Sequence, residues 1–151
     1  MSENNPHQAG RHFLQIPGPS NVPDRVLRAI AQPTIDHRGP EFAQLTLGVL
    51  DKLGAVFNTK SPIFIFPASG TGGWESSLLN TLCPGDKVLA FETGHFATLW
   101  KNVATKLGLE VIWVEGDWRQ GIDAAVVQQH LLEDQSHQIK AVLAVHTETS
   151  S

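Results

Sequence analysis

The sequence predicts an α/β fold, an open and mostly parallel sheet with helices on both faces, preceded by an N-terminal arm. Three observations lead there. From residue 62 onward, short apolar runs alternate with amphipathic stretches, the order produced by strand–helix–strand crossovers. The first run, Ile63-Phe64-Ile65-Phe66, is apolar at every position, as in a strand covered on both faces. Three of the loops that should follow strands carry Gly, Ser, Thr and His, where open α/β sheets place their ligands.

The elements follow in order. Residues 1–12 are polar and are expected to be mobile. The segment Ile16-Pro17-Gly18-Pro19-Ser20-Asn21-Val22-Pro23 is too rich in Pro and Gly for a helix or a sheet interior and predicts a stiff, extended stretch. A short helix should start near Pro23 and stop before Pro33. After the turn-like Asp36-His37-Arg38-Gly39-Pro40, the spacing of Phe42, Leu45, Val49, Leu53 and Val56 predicts a longer helix with a core face. Ile63–Phe66 is the first predicted strand. A helix over Gly72–Leu82 should turn Leu78, Leu79 and Leu82 inward, and Cys83 at its end reads as a small, half-buried apolar residue. Lys87–Phe91 is the second strand. Phe96, Leu99, Trp100, Val103 and Leu107 then mark an amphipathic helix. Glu110–Val114 is the third strand, Asp123 the N-cap of a helix carrying Val126, Val127, His130 and Leu131, and Ala141–Val145 the fourth strand.

Composition narrows the function classes. A net charge of −4 with scattered Lys and Arg gives no basic footprint for nucleic acid. The single cysteine excludes an internal disulfide framework, and the histidines show no metal-binding spacing. No apolar run approaches the roughly 18 residues that span a bilayer. With a polar first stretch and no apolar signal region, the default expectation is a cytoplasmic protein free of the membrane. The chain ends on the polar loop His146-Thr147-Glu148-Thr149-Ser150-Ser151, directly after a strand-like run, so the expectation is a truncated domain.

Each of the three strand ends admits a functional and a bland reading. In Pro67-Ala68-Ser69-Gly70-Thr71-Gly72-Gly73, glycines and hydroxyls at a helix start suit a phosphate monoester; a capped tight turn is the alternative. In Glu92-Thr93-Gly94-His95-Phe96, the Phe96 ring could stack on a flat heteroaromatic group, or simply begin the core face of its helix. The third end, His146–Ser150, offers hydroxyls and a carboxylate for a cofactor's polar edge, or is a solvated loop.

Taken together and in order, Pro17–Asn21, Asp36–Phe42, Ala68-Ser69-Gly70-Thr71-Gly72-Gly73-Trp74-Glu75, Glu92–Phe96, Gly116-Asp117-Trp118 and His146–Ser150 resemble the first third to two fifths of class V aminotransferases. The serine–glyoxylate and alanine–glyoxylate branch is the nearest match. The resemblance covers residues 11–151. It implies the large domain of a fold-type I pyridoxal-phosphate enzyme, with residues 1–22 as the N-terminal arm and 23–151 as the first part of that domain. It further implies pyridoxal 5'-phosphate as cofactor, with Ser69, Gly70 and Thr71 on its phosphate, Phe96 on its ring and Thr149 near its phenolic oxygen. Gly18 and Pro19 match the stretch that helps form the substrate carboxylate pocket. The Schiff-base lysine, and the aspartate that pairs with the ring nitrogen, are expected beyond residue 151, so the piece alone is expected to be inactive. Substrates would be an amino acid and a 2-oxo acid, and the full-length protein a homodimer. The implied reaction converts serine and glyoxylate to hydroxypyruvate and glycine. Rival readings are another class V chemistry, such as alanine–glyoxylate exchange or a desulfurase-like lyase, and a non-enzymatic module that binds a phosphorylated metabolite.

Overall fold

Proline opens both helices of the N-terminal part. Pro23 precedes α1 (Asp24–Ile30) and Pro40 begins α2 (Pro40–Val56), where the missing N–H costs nothing because the first turn has no acceptor for it. Asp24 and Glu41 in the first turns complement the helix dipole, as does Arg28 in the last turn of α1. The computed structural model describes residues 13–16 and 18–150; the predicted mobile stretch 1–12 and Pro17 lie outside them. The chain divides into two units, Met1–Ile65 and Phe66–Ser151.

Neither α1 nor α2 contains a buried residue. This corrects the predicted core face of α2: Phe42, Leu45, Val49 and Val56 are exposed, and only Leu53 is partly covered. A helical period reports an apolar stripe, not what covers it. The run Ile63–Phe66 is corrected for a related reason. It forms no strand, and Phe64 and Phe66 are 76% and 74% exposed. An apolar run becomes a strand only when another strand takes its backbone hydrogen bonds, and none of the described strands does so.

The second unit carries the sheet. Its strands are β1 (Lys87–Phe91), β2 (Glu110–Val114) and β3 (Ile139–Leu143), all parallel, in the order β2-β1-β3. Among the described residues the sheet therefore has three strands rather than the four predicted. Before β1 comes α3 (Gly70–Thr81), which starts two residues earlier than predicted; α4 (His95–Lys106) links β1 to β2, and α5 (Ala124–Glu133) links β2 to β3. Asp123 caps α5 as predicted, its Oδ1 accepting the N–H of Ala125 at 2.8 Å. Asp134 then accepts the N–H groups of Gln138 and Ile139 at 2.9 and 2.7 Å. Those two bonds set the entry to β3, which begins at Ile139 rather than Ala141. They also hold the Asp134 carboxyl below its ordinary range.

Val88, Ala90 and Leu143 of the sheet pack with Leu78 of α3, Ala104 of α4 and Leu109 in one buried cluster. Trp100, Val103 and Leu107 add to its edge, which is the apolar stripe read from the sequence. Leu89 and Phe91 point to the other face and are buried as well. Of the three leucines expected inward on α3, Leu78 is buried and Leu82 half-buried, while Leu79 is exposed. Cys83, expected to be half-buried, is exposed too.

Candidate functional site

The strand order decides where a ligand can sit. The chain leaves β1 for β2 on one side and returns as β3 on the other. Loops leaving the C-terminal ends of β1 and β3 thus stand next to each other at a switch in topology, where open α/β sheets bind ligands.

At that place a cavity of about 450 Å³ is lined by Trp74, Phe96 and Trp100 on one side and by His146, Thr147 and Thr149 on the other. Phe96 and Thr149, singled out on separate strand ends, are brought to one hollow. Phe96 is 36% exposed and lies outside the cluster that the described residues bury. Its ring meets Trp74 edge-on at 6.2 Å and His95 at 5.7 Å, and Trp74 stacks on Trp100 at 5.7 Å. Trp100 Nε1 and Thr93 Oγ1 are buried without a hydrogen-bond partner among the described residues. Buried unpaired polar atoms cost about 1–3 kcal/mol each, and both belong to the walls of hollows at this end of the sheet.

Ser69, Gly70 and Thr71 lie at the start of α3. Ser69 is the N-cap residue, yet its side chain makes no capping bond, which removes the plain capping role as an explanation for it. An added Cβ at Gly70 or Gly73 would meet no atom within 4 Å. Packing within the chain therefore does not demand glycine there, whereas a ligand resting against the turn would. The first-turn N–H groups have no acceptor inside a helix and carry its positive dipole end. Ser69 faces a separate hollow beside Gly72 and Gly73. The link to the aromatic cavity runs through Trp74, one helical turn after Gly70 and on the same face. Gly18 and Pro19 lie in the first unit and are exposed.

Glu148 has a role that the sequence reading did not give it. Its Oε2 accepts the N–H groups of Phe96 at 3.0 Å and Ala97 at 3.1 Å, and its Oε1 accepts the Ser150 hydroxyl at 2.7 Å. The carboxylate offered above for a cofactor's edge is thus occupied by the N-terminus of α4. The signal was Gly94, the N-cap of α4, where an added Cβ would overlap Glu148 Cγ and Cδ. Partial burial alone would raise the Glu148 carboxyl. The Ser150 hydroxyl and the N–H groups of Ala97, Phe96 and Ser150 outweigh that and hold it below the ordinary value of 4.5.

A depressed native value means that this carboxylate stabilises the fold above pH 4.5 and stops doing so as pH falls through the lower native value. In the full-length protein, Glu148→Gln should lower the melting temperature at neutral pH, and the gap from the unaltered protein should close as pH drops below 4.5. A gap that is constant from pH 7 to pH 3 would count against this linkage.

A second tie fixes the β2 side. Glu92, following β1, accepts the Trp118 indole N–H at 3.0 Å and lies 3.5 Å from the N–H of Gly116. The motif Gly116-Asp117-Trp118 is therefore a latch for the loop after β2. Among the described residues no three His, Cys, Asp or Glu cluster as metal ligands, and no helix is long and apolar enough to cross a membrane.

The aminotransferase class V family model matches residues 12–151. The chain belongs to that family. Its members depend on pyridoxal phosphate. The chain is 47% identical over 143 residues to the serine–glyoxylate aminotransferase of Methylorubrum extorquens, covering 94% of this chain and 36% of that protein. It is 42% identical to the L-aspartate–glyoxylate aminotransferase of Paracoccus denitrificans, covering 90% and 35%. Among solved structures, an alanine–glyoxylate aminotransferase from Nostoc sp. superposes with a TM-score of 0.77 at 26% identity, covering 95% of this chain and 37% of that one. The chain thus spans about a third of the length of the curated relatives it matches.

Proposed function

We propose that the chain is the N-terminal part of a pyridoxal-phosphate-dependent aminotransferase that moves the amino group of serine to glyoxylate, giving hydroxypyruvate and glycine. The observation that carries the cofactor reading is the shared cavity of Phe96 and Thr149, to which α3 contributes Trp74. Serine as donor is supported by the 47% identity to the Methylorubrum enzyme. Glyoxylate is named in all three relatives above, whereas the donor differs among them.

In this reading Ser69, Gly70 and Thr71 hold the phosphate with hydroxyls and helix N–H groups. Phe96 offers its ring face to the pyridine, and the Thr149 hydroxyl meets the phenolic oxygen. When bound, the cofactor draws electrons from the amino acid's α-carbon. This chain's residues supply binding, orientation and a partly water-free wall. Gly18 and Pro19 contribute to the substrate carboxylate pocket. Residues 1–22 act as an arm and 23–151 as the first part of the cofactor-binding domain. In this reading the full-length protein is cytoplasmic, and the family resemblance implies that it is a homodimer.

Replacing Ser69 or Thr71 by Ala in the full-length protein should weaken cofactor affinity by about 1–3 kcal/mol, the worth of a hydrogen bond to a charged group. Equilibrium titration of the cofactor-free protein measures it, and unchanged affinity in both variants would sink the phosphate assignment. Rates with serine, alanine and aspartate against glyoxylate test the donor.

A further inference from the structure

We infer that Glu148 is a positioning residue whose carboxylate, bonded to the first turn of α4, holds Phe96 and Thr149 in fixed register across the cavity. The inference rests on the cofactor reading above. Phe96 and Thr149 come from different strand ends, 53 positions apart in the chain. Nothing covalent nearby fixes the distance between them. Glu148 does so by accepting the N–H of Phe96 itself at 3.0 Å and that of Ala97 at 3.1 Å. Ser150 closes the other side, its Oγ accepting the N–H of His95 at 2.8 Å while its hydroxyl donates to Glu148. Thr149 lies between those two residues, so its backbone is tied to α4 before and after it.

The chemistry suits the task. An ionised acceptor makes stronger hydrogen bonds than a neutral one, and a helix N-terminus favours negative charge. Gly94 carries no side chain of its own to cap α4, and its missing Cβ leaves the space that Glu148 fills. Without the carboxylate, the first turn of α4 and the loop after β3 would move independently. The aromatic wall and the hydroxyl of the cavity would then lose their shared frame.

The test uses the full-length protein, with pyridoxal phosphate as the probe. Its dissociation constant and the visible circular dichroism of the bound form are measured well below the melting temperature. Glu148→Gln should bind about ten-fold more weakly, in line with one lost charge-assisted hydrogen bond, and show a diminished dichroic band. The double variant with Phe96→Ala should lose less than the sum of the single losses, since residues acting through one another are not additive. A cap serving only the fold would lower the melting temperature, leave affinity and dichroism unchanged and give additive losses; that result overturns the inference. Should Glu148→Gln fail to fold, Ser150→Ala, which removes the bond to His95, is read by the same criteria. Absence of binding by the unaltered protein overturns the cofactor reading and this inference with it. Normal binding with an indifferent Glu148→Gln overturns the inference alone.

Discussion

Produced alone and supplied with pyridoxal phosphate, serine and glyoxylate, the 151-residue chain should give no turnover and no stoichiometric labelling of any lysine. The expectation comes from where its lysines stand. Lys87 starts β1, 3.9 Å from the Glu110 carboxylate, and Lys140, near the start of β3, donates to the His137 carbonyl at 2.9 Å. Both sit at the N-terminal end of a parallel sheet, roughly 10–13 Å from the C-terminal ends of their strands at about 3.3 Å per residue. Lys106 occupies the last turn of α4, about 15 Å along the helix from Phe96. Lys101 lies 4.6 Å over the Trp113 ring, which holds its ammonium on the sheet side of α4 by cation–π attraction. In the first unit, Lys52 is within α2 and Lys60 in the loop that follows it, neither at a strand end. Borohydride reduction followed by peptide mapping reads the labelling, beside a serine–glyoxylate assay. Scattered labelling of exposed lysines fits the expectation. One lysine labelled to completion, together with turnover, would refute it.

Much of this was legible in the sequence because the second unit depends on local signals. The stripe Trp100-Val103-Leu107 identified α4, and the short apolar runs at 87–91 and 110–114 gave both strands to the residue. Asp123 announced the start of α5 through a bond that spans only two residues. What failed depended on partners distant in the chain. Ile63–Phe66 has the composition of a buried strand, but no described strand pairs with it. The α2 stripe has the right period and no cover within its own helix. The role of Glu148 stayed open for the same reason: it accepts N–H groups from residues 51 and 52 positions away. Nothing in the composition of a polar loop reveals such a bond. Gly94 came nearest, as a glycine directly before a helix that lacks any capping side chain. Strand-end loops carry their chemistry in short motifs, so candidate site residues can be named from the sequence even where the pairing around them cannot.

Phe96→Ala should weaken cofactor binding by roughly 10–100-fold, the equivalent of losing the burial of an aromatic side chain worth about 1.5–3 kcal/mol. Two roles compete for this ring, and they distribute the cost differently. A Phe that fills a core costs about 3–5 kcal/mol of fold stability when cut to Ala. Phe96 is 36% exposed, absent from the buried cluster, and meets Trp74 and His95 only edge-on. Its removal should therefore cost the cofactor-free fold less than that, while the ring that lines the cavity is lost to the ligand. Phe96→Trp keeps a flat face at the same place and should retain affinity. Melting temperature of the cofactor-free, full-length protein, set beside the dissociation constant for pyridoxal phosphate, separates the two. A large fall in melting temperature with unchanged affinity in Phe96→Ala would return the residue to the core. Loss of affinity in Phe96→Ala with recovery in Phe96→Trp is what a stacking wall requires, because only the face of the ring is common to both aromatic residues.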